Sequence, residues 1–304
     1  MSGVRSYLNF CEMSGLTPFP VSEASLCFFA VFSFNRGIAC KTTKVYITGV
    51  LHQNTMLGSN AHLPLMPVLQ RIIRGIRRRQ GNSLIRKPRK PITTEHLLTI
   101  SSFLLRSGHN VHDKYMLLAS CLTAFFGLLR VSEFSCPTLS SYDPAIHLSR
   151  SDVIFNPDFS MMSLSIKASK TDPFRHGVTV RIAATFDKLC PVGAMRNYLA
   201  LHDSRNGPLF KFNDGKFLTR KTIHALLDKS LPSESGLNTH SFGIGGASAA
   251  LTAGASDSMI RIMGRWSSDC YLRYLRISDS DITKFISNMA KVSGVSSTWD
   301  PDKW

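Results

Sequence analysis

Carboxylates are what this sequence has least of. Twenty Asp and Glu stand against 36 Lys and Arg in 304 residues, for a formal net charge of +16. The shortage is concentrated at the start. Residues 1–90 carry 13 basic and 2 acidic side chains, whereas residues 91–304 carry 23 and 18. A basic segment joined to a nearly balanced body points to one part that grips a polyanion. Solvated surface charge is the bland alternative.

Paired cysteines are missing as well. The seven Cys stand at 11, 27, 40, 121, 136, 190 and 270, and no two form a C-x-x-C pair. Most sit in apolar stretches such as Leu26-Cys27-Phe28-Phe29. They read as buried free thiols of a reducing compartment, against a disulfide framework and against a zinc site. No signal-peptide pattern opens the chain. The longest apolar run, Tyr115 to Leu129, is too short to span a bilayer and ends at an arginine. No internal repeat is present. The expectation is a soluble intracellular protein with no membrane partner. Apolar residues make up 43%, with 19 Phe and 11 Met, which excludes a disordered chain.

What is present falls into two blocks. Residues 2–80 predict four helices. The first carries Tyr7, Leu8, Phe10 and Cys11 at helical spacing and is broken by Pro18 and Pro20. The second starts at Val21-Ser22-Glu23, buries Ala24 to Phe34 and ends at Gly37. The third runs from Thr42 to Leu57 and the fourth from Val68 to Arg79. The fourth crowds Arg71, Arg74, Arg77, Arg78 and Arg79, with Arg71, Arg74 and Arg78 on one face and Ile72 and Ile76 facing inward. Such a stripe suits contacts to phosphates; a solvated face is the alternative. Asn82 to Pro91 holds Arg86, Lys87, Arg89 and Lys90 and no apolar period, and it reads as an extended basic linker.

Beyond the linker, Thr93-Thr94-Glu95 caps a helix to about Ser107, and a longer helix follows from Val111 to Leu129. Residues 152–155, 161–167 and 178–182 alternate apolar and polar side chains as a three-strand meander. Residues 191–304 return to helices, with a loose tail from Val292. The domain reading is 1–81, a linker at 82–91, and 92–304. The fold class is mainly α with a small antiparallel β-sheet.

Four short pieces of the second block stand out together. They are Gly127-Leu128-Leu129-Arg130-Val131-Ser132-Glu133, Lys167-Ala168-Ser169-Lys170-Thr171-Asp172, Thr239-His240-Ser241-Phe242-Gly243, and Gly264-Arg265-Trp266 placed eight residues ahead of Tyr274. An arginine closing an apolar helix end is costly unless it meets an anion. In that order and at those separations the pieces resemble the tyrosine recombinases. More narrowly, they resemble the eukaryotic retrotransposon and transposon branch (DIRS, Ngaro and Crypton elements). The resemblance spans nearly the whole chain: residues 1–81 correspond to the helical core-binding domain that clamps DNA, and 92–304 to the catalytic domain.

The resemblance implies a reaction. The family cuts a DNA strand with a tyrosine hydroxyl, forms a 3′-phosphotyrosyl bond and releases a 5′-hydroxyl. The covalent intermediate conserves the bond energy, so neither a cofactor nor a metal is implied. Tyr274 falls at the nucleophile, with Tyr271 as its rival. His240 falls at the group that helps remove the tyrosine proton. Lys170 falls at the general acid for the leaving oxygen, with Lys167 as its rival. Arg130 falls at a phosphate clamp, where a planar guanidinium fork matches phosphate oxygens. Glu133 supports that clamp, and Trp266 donates its indole N–H. The implied partner is double-stranded DNA, bound by a tetramer on two duplexes, in the nucleus.

One position departs from the pattern. The family motif is His-x-x-Arg, and this chain reads His240-Ser241-Phe242-Gly243. A glycine donates no side-chain hydrogen bond, so the second clamping arginine is lost, and losing an arginine on a transferring phosphoryl group costs about 10³–10⁵ in rate. The implied activity is therefore impaired recombination. Two accounts stay open: a non-catalytic DNA-binding protein on the same scaffold, or replacement of the clamp by Arg261 or Arg265.

Overall fold

The computed structural model describes residues 2–59, 65–81, 89–169, 172, 174–201, 207–266, 272, 275, 282–283 and 286–288. The chain divides into two compact units, residues 1–88 and 89–304. Among the described residues no helix is long and apolar enough to cross a membrane.

The first unit holds four helices: α1 (Ser2–Ser14), α2 (Glu23–Asn35), α3 (Cys40–Met56) and α4 (Pro67–Gln80). They enclose one core built on Tyr7, Phe10, Leu26, Phe29, Ile47, Val50 and Leu69. The Tyr7 hydroxyl donates to Ser25 Oγ at 3.0 Å, which satisfies a polar group inside that core. Ser22 caps α2 by accepting from the Ser25 N–H at 3.1 Å. The scarce acid Glu23 has a structural task. Its Oε1 accepts the N–H groups of Val68 at 2.7 Å and Leu69 at 3.0 Å, placing a carboxylate at the positive end of α4. Helix α4 buries Leu69, Ile73 and Ile76. The inward pair is thus Ile73 and Ile76, with Ile72 only partly covered, because the buried stripe begins at Leu69 and steps by four and then three.

The second unit opens with α5 (Thr94–Arg106), capped by Thr93, whose hydroxyl accepts from the His96 N–H at 3.2 Å. Helix α6 (Val111–Phe126) is the central element and packs on α5, α8 and α10. Beyond its polar first turn, from Met116 to Phe125, it is mostly apolar because it is mostly enclosed. After the short α7 (Val131–Phe134) come β1 (Val153–Phe155), β2 (Met161–Ile166) and β3 (Val178–Ala183). They pair antiparallel in the order β1-β2-β3, with Leu164 opposite Val153 on one side and Val180 on the other. Met162, Leu164 and Ile166 face the core and alternate with partly exposed neighbours. Helices α8 (Pro191–Leu201), α9 (Arg220–Ser230), α10 (His240–Thr252) and α11 (Asp257–Gly264) complete the described unit. The mainly helical class with a small antiparallel sheet is what the structure has.

Helix α6 stops three residues short of the Leu129 expected from its apolar run. Gly127 is its C-cap, a place kept for glycine because a Cβ there would press against the Thr123 carbonyl oxygen at 2.8 Å and Ile182 Cδ1 at 2.9 Å. Leu128 then turns left-handed at φ 48°. The apolar residues Leu128 and Leu129 are buried without being helical, so hydrophobicity alone overran the helix end. This turn points the chain at Arg130.

Among the described cysteines, Cys11, Cys27, Cys40, Cys121 and Cys136 are buried and free and Cys190 is half-buried and free; Cys270 lies outside the described residues. The domain reading's linker straddles the boundary between the units, and residues 82–88, with Arg86 and Lys87, lie outside the described residues.

Three glycines of α10 separate packing from open surface. Cβ atoms at Gly245 and Gly246 would strike the backbone carbonyls of Ile92 and Phe125, whereas a Cβ at Gly243 meets nothing within 4 Å. Gly246→Ala is therefore expected to lower unfolding stability by about 3 kcal/mol. Gly243→Ala is expected to raise it by about 0.5–1 kcal/mol. Urea midpoints at constant slope measure both; equal midpoints for the two variants would contradict the packing described here.

Candidate functional site: an arginine pocket between helix ends

Three chain ends meet around one carboxylate. Glu133 sits in α7 with its side chain fully buried. Its Oε1 accepts from Arg130 Nη1 at 2.9 Å. Its Oε2 accepts from the Arg130 backbone N–H at 2.9 Å and from Arg265 Nη2 at 2.8 Å. One carboxylate thus lies between two guanidiniums, and the cluster keeps one net positive charge.

Arg265 is the deeper of the two cations. Its side chain is 10% exposed, against 22% for Arg130. It follows α11 in the left-handed conformation, with φ 56°. From there Nη1 donates to the carbonyls of Gly127 and Met263, both at 3.1 Å, and Nη2 donates to Leu128 O at 3.1 Å as well as to Glu133. Four of its five N–H donors therefore have acceptors, and two of these are the carbonyls of Gly127 and Leu128 in the turn that closes the negative end of α6. Burial draws the Arg265 guanidinium below its ordinary pKa; Glu133 opposes that shift and Arg130 adds to it. An arginine held this way stays charged throughout the accessible pH range.

Arg130 is placed differently. It makes two bonds, both to Glu133, and its other N–H groups have no protein acceptor among the described residues. It lines a small pocket with Leu128, Leu129, Thr239, His240, Gly243, Gly264 and Trp266. Three sequence pieces, around residues 128–130, 239–243 and 264–266, supply that wall. His240 opens α10, where its backbone N–H donates to Asn238 Oδ1 at 2.9 Å. Gly243 stands one turn further on, half-buried, with free space where a side chain would project. Trp266 folds back over Gly264, and a Cβ on Gly264 would run into the indole. Trp266 also packs, with Leu275, against the small cluster of Leu128, Ala247 and Ile260.

The pocket thus unites Arg130, His240, Gly243 and Trp266, with the buried Glu133 bonded to Arg130 behind its wall. Lys170, Tyr271 and Tyr274 lie outside the described residues. Lys167, the rival of Lys170, forms an ion pair with Asp152 at 2.6 Å and lies near Ser149 Oγ at 3.4 Å. Asp152 is itself buried in the turn that leads into β1, which gives Lys167 a structural partner. Between β2 and β3, Asp172 Oδ2 accepts the Gly177 N–H at 2.8 Å. That bond is the main reason the Asp172 carboxyl sits below its ordinary pKa.

In the first unit, Arg71, Arg74, Arg77, Arg78 and Arg79 are all exposed, opposite the buried stripe of α4. Arg74 reaches Gln70 Oε1 at 3.5 Å, and no carboxylate pairs with any of the five among the described residues. Arg89 and Lys90 belong to the second unit and are exposed. Lys90 pairs with Glu234 at 2.8 Å and holds that carboxyl below its ordinary pKa.

Sequence reasoning missed the task of Arg265, offering it as a spare clamp. Its donors are already committed to Glu133 and to carbonyls. The signal was available: an arginine beside a helix-ending glycine and a buried acid elsewhere form a natural pair. The acid that Arg130 meets at the apolar helix end also proves to be internal, three residues further along the chain.

Neither a protein-family model nor a curated protein sequence matches this chain. Solved structures do. The Tn1549 transposon integrase in complex with transposon right end DNA is similar over 95% of this chain and 92% of its own, with TM-score 0.59 and 14% identity. The XerH site-specific recombinase bound to palindromic difH substrate is similar over 90% and 73%, with TM-score 0.58 and 13% identity. A lambda integrase dimer bound to a COC′ core site is similar over 91% and 86%, with TM-score 0.57 and 14% identity. At such identities the likeness is one of fold, and the fold is that of the tyrosine recombinases.

Removing the shared carboxylate leaves two guanidiniums facing each other. Glu133→Ala is expected to destabilise the second unit by about 3–5 kcal/mol, the usual cost of breaking a buried ion pair. Chemical denaturation checks it, and a loss below about 1 kcal/mol, typical of surface pairs, contradicts the cluster as described.

Proposed function

We propose that this protein cleaves and rejoins DNA strands through a 3′-phosphotyrosyl intermediate, at a rate lowered by Gly243. The observation that carries the reading is the pocket wall: Arg130, His240, Gly243 and Trp266, drawn from separate parts of the chain, line one space. In the proposed reaction the Tyr274 hydroxyl attacks the scissile phosphorus, the P–O5′ bond breaks, and the 3′-phosphate becomes bonded to the tyrosine oxygen. His240 assists removal of the tyrosine proton. Lys170 returns a proton to the departing 5′-oxygen. Arg130 binds the non-bridging oxygens with the N–H groups that Glu133 leaves free, and the Trp266 indole N–H adds one donor. Rejoining reverses the bond changes when a 5′-hydroxyl attacks the phosphotyrosine.

Duplex DNA is the partner this reading requires, gripped in part by the unpaired arginines of α4. A transposable-element origin in the eukaryotic retrotransposon branch, a nuclear site of action and a tetramer on two duplexes belong to the same proposal; they rest on the wording of the motifs. The opposite reading, a DNA-binding protein without catalysis, is favoured by one observation, the absent side chain at Gly243. The open space at Gly243 makes the two readings separable, because a side chain can begin there with no neighbour within 4 Å of its Cβ.

The test is covalent trapping on nicked suicide duplexes drawn from a pool of element ends and random sequences. Gly243→Arg is expected to raise adduct formation by about 10³-fold over the natural chain, and Tyr274→Phe to abolish it in both backgrounds. Duplex bound without adduct by every variant would leave only the binding reading. Replacing Arg71, Arg74 and Arg78 together by Gln is expected to lower the slope of log affinity against log salt by about 3, read by titrations at several ionic strengths. An unchanged slope would remove α4 from the DNA interface.

A further inference from the structure

We infer that Arg265 is a positioning residue that sets the aim of Arg130. This rests on the reading of the pocket as a phosphate site and goes beyond it, because Arg265 touches no pocket ligand in that reading. Glu133 has limited acceptor capacity for the donors around it. A carboxylate and a guanidinium left to themselves pair fork to fork, with two parallel N–H···O bonds. Here that pairing is absent. Glu133 Oε2 is occupied by Arg265 Nη2 and by the Arg130 backbone N–H, so the Arg130 side chain is bonded only through Nη1 to Oε1. The remaining Arg130 donors are left to the pocket it lines. Arg265 thereby blocks the self-neutralising geometry of its neighbour.

The same residue fixes where this happens. Its fork joins the carbonyls of Gly127 and Leu128, in the turn that launches Arg130, to the end of α11 that carries Trp266. Two walls of the pocket are thus tied through one side chain. The backbone supports a purposeful arginine as well. Residue 265 sits at φ 56°, a conformation that glycine adopts at no steric cost and a branched or long side chain does not. An arginine here bears that strain while spending four donors on internal acceptors.

This geometry supplies a clean variant. Arg265→Gly relieves the left-handed backbone while deleting the guanidinium, and Glu133 keeps Arg130 and a backbone N–H as partners. The expected consequence is rotation of Arg130 into a two-bond pair with Glu133 and loss of its donors from the pocket.

The experiment uses the full chain with ¹⁵N-labelled arginine and inorganic sulfate as the probe. The Arg130 guanidinium resonance, assigned through Arg130→Lys, is followed during titration, and thermal melting and the Arg36 resonance report on general damage. Wild type is expected to show a saturating Arg130 shift. Arg265→Gly is expected to need about tenfold more sulfate with the Arg36 signal unmoved, the loss of one charge-assisted hydrogen bond. Arg265→Lys is expected to fall between them, since an ammonium reaches Glu133 without the fork. If Arg265→Gly fails to fold, Arg265→Lys carries the comparison. A folded Arg265 variant that titrates like wild type overturns the inference and leaves the phosphate-site reading intact. A wild type whose Arg130 ignores sulfate overturns that reading, and the inference with it.

Discussion

Everything at this site depends on how one buried carboxylate is shared. Glu133 has no exposed side-chain surface and would be costly to bury alone, by several kcal/mol. Two guanidiniums and one backbone N–H satisfy it. Because the three donors come from the residue that precedes α7 and from the residue that follows α11, the carboxylate holds together segments more than 130 positions apart. The Gly127–Leu128 turn joins them through the Arg265 fork. The pocket is therefore a consequence of an internal charge cluster, and its shape follows from where Arg265 and Arg130 must sit to reach the same acid.

The cluster also explains why the pocket is electropositive by one charge and no more. Arg265 is neutralised inward, and Arg130 alone turns outward. In the proposed reaction a phosphoryl group gathers charge on several oxygens, and a single planar cation meets only part of that charge. Gly243 leaves the opposite wall bare, in ordinary helical geometry and with room to spare. The defect is thus local and chemical. It takes away a donor at a cost of only about 0.5–1 kcal/mol to a helix that packs closely at Gly245 and Gly246.

Much of this was legible in the residues. The caps at Ser22 and Thr93, the alternation through 161–166 and the enclosed stretch of α6 each follow a local rule, and each local rule agrees with its environment. The order of the short motifs brought Arg130, His240, Gly243 and Trp266 to attention, and the fold brings them to one wall. What escaped was decided by tertiary contact. The end of α6 was invisible because Leu128 and Leu129 stay buried after leaving the helix. The inner face of α4 was misjudged by one residue because Ile72 and Ile73 are chemically alike and only the partner helices choose between them. Arg265 was misread because spacing along a chain does not tell which donors are already engaged.

The most direct measurement of the central claim is an experimental structure of the full chain bound to a duplex through a non-cleavable phosphate linkage. The account predicts a phosphate oxygen within about 3 Å of an Arg130 nitrogen, His240 and Trp266 on the same pocket wall, and Glu133 still bridging Arg130 and Arg265. A phosphate bound elsewhere, or an Arg265 that has left Glu133 to take the empty place beside Gly243, would contradict it.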